Sequence, residues 1–488
     1  MKTRNIIISI FLTLSLVLGA CSDFLDIKPE DVMLKEEALT NEEDVRMLLN
    51  STYTVLFSGN FLGGRAQIIS ELLTDNILGS ELDGDWFVIY NRATSIFEGI
   101  VGGIYGEPYI SIYRANNVLE NLDLVEDENA RSIIEGEARF VRALAHFETV
   151  RLFAQPYGYT PDNSHLGIPI KTQSAPAGAN RATVNDVYEF LIAELEDAEE
   201  LLPDNTDSDY DPHGAYPTKW AAKALLARIY FQMNDFTNAF LYANDVIENG
   251  PAEFSNELDE FEIEGEDEDV TLPKEYMDRY SQMGSNEAVF KSVTITTNQD
   301  GETINVNRGG EFSGIMRSDN NVPFIKMTQN AYTYGTSDPA DLRSLAWYKE
   351  MDGFNVSTKF NGSDYLSVPV ITITELKLIR AESAAEEGSN ITIAQNDIQD
   401  IFDRAYGEGN RVAPSTANAL IQESRKQRRL EFIFEGHLGQ DLKRIGALGR
   451  EDVIIRDAPW DCPGAVLQFP QAEIANNPDF TPNPEGGC

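Results

Sequence analysis

Cysteine, histidine and positive charge are scarce in this chain of 488 residues. There are three Cys and four His, the latter at positions 146, 165, 213 and 437. Imidazoles scattered in this way lack the paired spacing of a zinc site. No CxxC, HExxH, GxSxG, GxxxxGK[ST] or GxGxxG run occurs. The sequence therefore carries no dithiol redox, metalloprotease, serine-hydrolase or phosphate-cradle signature. Lys and Arg number 38 against 80 Asp and Glu, a formal charge of −42. Such a surface repels phosphate backbones and anionic headgroups, which argues against nucleic acid as a partner. The one long apolar run, Ile6 to Leu18, falls short of the ~20 residues that a membrane-spanning helix needs.

That run has its own meaning. Lys2 and Arg4 precede it and Leu18-Gly19-Ala20-Cys21 closes it. A charged start, a short greasy middle and small residues are the layout of a secretory signal. The Cys stands where a lipoprotein signal places its acceptor thiol. Residues 1–20 are expected to be cleaved, leaving Cys21 as the acylated first residue of a body over residues 21–488. Each buried methylene of a palmitate-type chain adds about 0.8 kcal/mol, so two or more chains hold firmly. Only Cys462 and Cys488 remain. In an oxidising compartment they either pair and pin the C-terminal tail or stay as thiols.

Helical periodicity dominates the rest. A first helix is expected from Asn41 to about Phe57, with Val45, Leu48 and Leu49 on one side. Residues 59–104, rich in Gly, Asn and Asp, read as loop with short helices. Tyr109, Ile112, Tyr113, Asn116 and Leu119 recur at helical spacing, and residues 131–153 carry an apolar face wide enough to pack on two sides. Thr183 and Asp186 make a capping-box-like start to a helix that Pro203 ends. Residues 222–251 form a helical hairpin that fits the tetratricopeptide pattern at Leu226, Ala227, Tyr230, Ala239, Ala243 and Pro251. A second hairpin is expected over 374–405, and a long helix from about Thr416 with Leu430, Ile433, Phe434, His437 and Leu438 on one face.

Between the hairpins, residues 252–370 read as an irregular insertion of short extended runs. Its acidic loop, 253–270, suits either Ca²⁺ or plain solvation. Asp207-x-Asp209-x-Asp211 imitates half an EF-hand loop, but Pro212 and Thr218 occupy the places of the required Gly and Glu. No metal or other cofactor is expected. The fold class is mainly α. Helical pairs lie within 105–251 and 372–447, and variable regions at about 59–104 and 252–370.

Several fragments, taken in order, resemble the SusD/RagB family of outer-membrane nutrient-binding lipoproteins. They are Cys21-Ser-Asp-Phe-Leu-Asp-Ile-Lys-Pro29, Glu137-Ala-Arg-Phe-Val-Arg-Ala143 with Val150-Arg-Leu-Phe153, and Gly167-Ile-Pro-Ile170. Glu375-Leu-Lys-Leu-Ile-Arg-Ala-Glu382, Glu431-Phe-Ile-Phe-Glu-Gly436 with Asp441-Leu-Lys-Arg444, and Phe469-Pro-Gln-Ala-Glu-Ile474 with Asn477-Pro478 follow. His437 and Leu438 depart from the pattern, where family members often carry another aromatic. The resemblance implies a scaffold of about four tetratricopeptide-like helix pairs. It also implies a lipid anchor in the outer membrane, facing the cell exterior, and a SusC-like TonB-dependent transporter as partner. It implies delivery of a glycan or oligopeptide, without catalysis.

A sugar-binding surface needs flat aromatic faces for the apolar side of a pyranose and polar groups at the rim. Trp86, Tyr90, Asn91 and Arg92, with Asp75 nearby, lie in a region that the resemblance assigns to the ligand side. Trp347 and Tyr348 form a second aromatic cluster, in the insertion. A glycoside hydrolase is the rival reading, since two carboxylates ~5–10 Å apart suffice for that chemistry; a peptide- or protein-binding member of the family is another. The anchor is tested directly. Cys21→Ser is expected to move the protein from the membrane to the soluble fraction of cells that make no transporter. Continued partition with membranes would disprove it.

Overall fold

The computed structural model describes residues 39–488 except 176–177, 206–213, 264–268, 298–302, 307 and 320. The expected signal segment, Cys21, the Asp207–Asp211 run and the middle of the acidic loop lie outside the described residues. Helix α1 (Glu42–Leu56) starts where the Asn41 side chain accepts from Asp44 N. Then come α2 (Arg65–Leu72), α3 (Gly84–Tyr90), α4 (Gly99–Leu119) and α5 (Glu128–Phe153). Helix α6 (Val184–Leu201) opens with the capping box of Thr183 and Asp186. Helices α7 (Lys219–Gln232) and α8 (Phe236–Asn249) form the central hairpin, with Asp235 capping the second. Ala227, Ala239 and Ala243 are fully buried. Small residues at such positions let two helix backbones approach, and Tyr230 and Tyr242 stack at 5.6 Å.

The insertion contains two-stranded pieces rather than one sheet. Strands β1 (Leu258–Phe261) and β2 (Val270–Pro273) precede the short helix α9 (Lys274–Asp278). Strand β3 (Ala288–Ser292) follows, then β4 (Ile295–Thr297), β5 (Thr303–Val306) and α10 (Gly310–Ile315). Helices α11 (Gln329–Thr336) and α12 (Leu342–Trp347) lead into the hairpin of β6 (Tyr348–Met351) and β7 (Phe354–Ser357). Strand β8 (Val368–Thr372) pairs antiparallel with β3 and runs straight into α13 (Ile373–Glu386). Helices α14 (Ile391–Tyr406), α15 (Ala417–Glu431), α16 (His437–Leu448) and α17 (Gln471–Asn476) complete the chain.

Helix packing runs α1–α4–α5–α6–α7–α8 and then passes directly to α13, which also packs on α14 and α15. The insertion therefore leaves the helical series after α8 and returns to it without breaking the stack. Helix α7 is buried almost all round because neighbours cover it on several sides. One core cluster reaches from Val45 to Phe480, and a second lies under α13, α14 and the loop before α15.

Two expectations fail locally. The long helix expected from Thr416 is two helices. It stops at Glu431, and Phe434 at φ 62° and Gly436 at φ 80° turn the chain before α16 begins. A Cβ on Gly436 would sit 2.7 Å from Gln67 Cα, so only glycine fits that turn against α2. Helix α4, 21 residues long, begins at Gly99, within a stretch expected to be loop with only short helices.

A buried ionic cluster joins insertion to scaffold. The Glu431 carboxylate, at the end of α15, lies 3.1 Å from Arg343 Nη1, 3.3 Å from Arg404 Nη2 and 3.4 Å from Arg279 Nη2. Lys359 Nζ donates to Glu431 O at 2.8 Å and to Glu435 Oε1 at 2.7 Å. Arg404 also meets Glu287 at 2.6 Å, and Arg343 meets Asp341 at 2.7 Å. Burial alone would raise the Glu431 carboxyl; the surrounding cations hold it down at about 2 instead. A depressed carboxyl stabilises the fold above its ordinary value near 4.5 and loses that contribution as pH falls towards 2. Glu431→Gln removes the one negative charge that the three guanidiniums share, leaving them to their other carboxylate partners, among them Asp341, Glu287 and Glu435. It is expected to cost ~3–5 kcal/mol, read as a lower urea midpoint at unchanged slope, and to flatten the acid limb of the stability profile between those two pH values.

Candidate functional site

The start of α4 supplies an unusual surface. Gly99, Gly102, Gly103 and Gly106 share one helical face, at i, i+3, i+4 and i+7; Gly99 is exposed and the other three are half-buried. Cβ atoms added at Gly102 and Gly106 would meet nothing within 4 Å. At Gly99 a Cβ would lie 3.7 Å from Asp85 Oδ2, and at Gly103 3.8 Å from Asn60 Cγ. The bare stripe thus runs between helix α3 and a polar ladder. Asp85 Oδ2 accepts from Ile100 N at 2.9 Å, which ties α3 to the start of α4.

The ladder begins at Arg65, the first residue of α2. Its Nε and Nη2 donate to Glu311 Oε1 at 3.0 and 2.8 Å, and its Nη1 donates to Asn60 Oδ1. Asn60 Nδ2 in turn donates to Glu107 Oε1 at 3.3 Å. The Arg65 guanidinium stands 5.9 Å from the centre of the Trp86 ring. Trp86 is half-buried, with its edge on Phe324 at 6.1 Å. Beside it in the chain, Phe87 is 45% exposed, and Phe97 is 72% exposed. Lys326 adds a cation 5.0 Å above the Phe354 ring and 3.8 Å from Glu81. Backbone bridges Ile77–Met327 and Met327–Asn355 hold these strips side by side. A thin floor, aromatic faces and fixed hydrogen-bonding groups form a surface suited to a hydroxyl-rich ring.

The sequence-derived residues distribute unevenly over this region. Trp86 lies at the ladder, and Asn91 is exposed one turn on, its Nδ2 donating to Phe87 O at 2.9 Å. Tyr90 is half-buried, its ring pressed on Gly79 and 4.0 Å from the Arg456 guanidinium. Arg92 is buried and cannot meet a ligand at the surface; its Nη2 donates to Leu73 O at 3.2 Å. Asp75 pairs with Arg429 at 3.3 Å, at the far end of the strip that leads to Trp86. Trp347 and Tyr348 are not a binding platform. Trp347 is fully buried, its Nε1 donating to Tyr276 O at 2.8 Å with Lys359 Nζ 3.9 Å from the ring. Insertion aromatics are needed inside, because short two-stranded pieces supply little core of their own.

Arg65, Asn60, Glu107, Glu311, Phe97 and the glycine face were not foreseen. The signal was present as the Gly spacing over 99–106, but glycine reads as loop when taken residue by residue. The helical histidines do packing work. His146 Nδ1 lies 2.7 Å from Arg142 O and its Nε2 accepts from Lys171 N at 3.2 Å, while burial lowers its pKa to about 4. Cys462 and Cys488 are joined, with Cα atoms 5.5 Å apart. Among the described residues no cluster of three or more His, Cys, Asp or Glu could hold a metal ion, and no helix is long and apolar enough to cross a membrane.

Two family models cover the chain. One, described as starch-binding and associating with the outer membrane, matches residues 23–231; the SusD family model matches residues 233–477. SusD-like protein P2 of Formosa agariphila is 25% identical over 98% of both chains. A SusD superfamily protein of Bacteroides vulgatus superposes with a TM-score of 0.76 at 21% identity, covering 91% of this chain and 99% of its own. A laminarin-binding SusD-like protein superposes at 0.70 with 18% identity, covering 92% and 100%. The helical scaffold is therefore the tetratricopeptide-like SusD fold, and this chain belongs to the SusD/RagB family.

Proposed function

We propose that the protein is a surface-exposed, lipid-anchored binding protein that takes a glycan at the α4 glycine face and passes it to a SusC-like TonB-dependent transporter. The observation that carries the reading is the juxtaposition of Trp86 with the Arg65–Asn60–Glu107 ladder across that bare face. An aromatic face covers the apolar side of a pyranose. The ladder presents donors and acceptors already fixed by one another, so little side-chain freedom is lost on binding. Starch, in the family description, and laminarin, for one structural relative, are both neutral glucans. A neutral glycan also agrees with the acidity of the chain, which disfavours sulfated or uronic-acid polymers.

Binding without turnover is the form this function takes. Glu311 is committed to Arg65 and Glu107 to Asn60, so neither stands as a free acid or base over the glycine face. Hydrolysis is separated from binding by looking for new reducing ends after incubation with the same glycans.

Titration calorimetry with laminarin, starch and neutral oligosaccharides, beside a peptide panel, is the deciding measurement. Binding to at least one glycan is expected. Trp86→Ala and Phe97→Ala are each expected to weaken it at least ~tenfold while leaving the unfolding midpoint within a few degrees, as both rings are partly exposed. An intact protein that binds no glycan, or one whose affinity ignores both substitutions, overturns the assignment.

A further inference from the structure

A second site lies behind helix α3, where two buried cations face one small cavity. Lys443 of α16 is 3% exposed, and Arg92, in the turn after α3, is 4% exposed. Among the described residues Lys443 Nζ has no hydrogen-bond acceptor, and neither has Arg92 Nε. The other Arg92 nitrogens meet only neutral groups, Leu73 O at 3.2 Å and Cys462 Sγ at 3.9 Å. Both side chains line a cavity with Ser70, Gly439, Gln440 and Trp460, and its lining contains no Asp or Glu. The space open to the centre of a water-sized sphere is about 10 Å³, enough for one small particle.

Unpaired buried charge is expensive, and one ordinary remedy is a counter-ion. The groups that act on Lys443 make matters worse, because Arg151 of α5 and Arg92 are both cations. Arg151 is itself already paired with Glu148 at 2.6 Å. Burial above all, and these cations after it, bring the Lys443 pKa down to about 7, a value at which the amine is half-charged near neutrality. Among the described residues that line the cavity there is no carboxylate to restore it.

We propose that a small monovalent anion of the chloride class binds between Lys443 and Arg92. Its size excludes phosphate, sulfate and carboxylate ligands. The ion bridges three parts of the chain: α16, the C-terminal segment that carries Trp460 and Cys462, and the root of α3. Arg92 is held there at φ 55°, and a Cβ on Gly464 would come within 1.9 Å of its carbonyl oxygen. The anion thus fixes the base of the helix that presents Trp86, and the inference stands whether or not a glycan binds there.

The test uses the whole mature chain at neutral pH and fixed ionic strength. Thermal unfolding is followed in sodium gluconate, chloride and bromide. Chloride and bromide are expected to raise Tm by ~1–2 °C for each tenfold increase in concentration above Kd. Bromide-soaked crystals are expected to show an anomalous peak between Lys443 Nζ and Arg92. Lys443→Met, of similar length and uncharged, is expected to abolish both the peak and the halide dependence. Should that variant fail to fold, the halide titration and the bromide peak on the natural protein decide alone. Equal Tm in gluconate and chloride with no peak means a neutral lysine beside water, and the proposal falls. A peak without any Tm response means an adventitious ion only, which also overturns it. So does a halide response that survives in Lys443→Met.

Discussion

The charge on Glu431 is the constraint on which the two halves of the molecule depend. The insertion has no sheet wider than two strands, and an isolated pair of strands is marginal in water. It is held by what it meets on the scaffold. Arg279, Arg343 and Lys359 come from the insertion, Arg404 from α14, and all converge on the last turn of α15 and the bend beyond it. Apolar packing would tolerate sliding of one surface on the other. A guanidinium needs acceptors at set angles, so each pair also fixes the register of an irregular loop against a helix. The bend at Phe434 and Gly436 belongs to the same arrangement, because it turns Glu435 back towards Arg279 and Lys359.

This arrangement explains what could be read from the sequence and what could not. The helices with complete punctuation were legible: Asn41, Thr183 and Asp235 cap them, and Pro203 and Gly250-Pro251 follow their ends. The break after Glu431 was not, because Leu430, Ile433, Phe434 and Leu438 keep a helical spacing through a non-helical bend. Their burial comes from long-range contacts that periodicity does not record. The depth at which Trp347 is buried was not legible for the converse reason. A Trp in an irregular, polar stretch suggests exposure, yet here it is covered from both sides by Tyr276 and the cations of the cluster. Of the candidate site, the Trp86 region was legible, and its floor and polar ladder were not. Arg65 and Glu311 are too far apart in sequence for any local pattern to join them.

The fragments that carry the family resemblance turn out to hold the structural ion pairs. Glu375 meets Arg228 at 2.8 Å, Arg380 meets Asp397 at 2.7 Å and Glu382 meets Arg444 at 3.0 Å. Arg142 pairs with Glu194, and Glu431 and Glu435 belong to the central cluster. Many of the basic residues are thereby drawn inward, among them Arg142, Arg228, Arg279, Arg343, Arg404 and Arg444. Their carboxylate partners are buried with them, so the net acidity of the chain is carried by its exterior. An exterior with that excess of carboxylates disfavours the approach of polyanions.

The candidate site lies on the seam between the two halves. Its floor and Arg65 belong to the scaffold side, whereas Glu311, Phe324 and Phe354 come from the insertion. A site shared in this way is only as rigid as the seam that carries it. The seam here is locked by fully buried ion pairs and by backbone bridges from Ile77 through Met327 to Asn355. Binding at such a site loses little conformational freedom in the protein. On the proposed reading, specificity would reside in the loop that the insertion lays beside Arg65, a segment that can differ without disturbing the helices that support it.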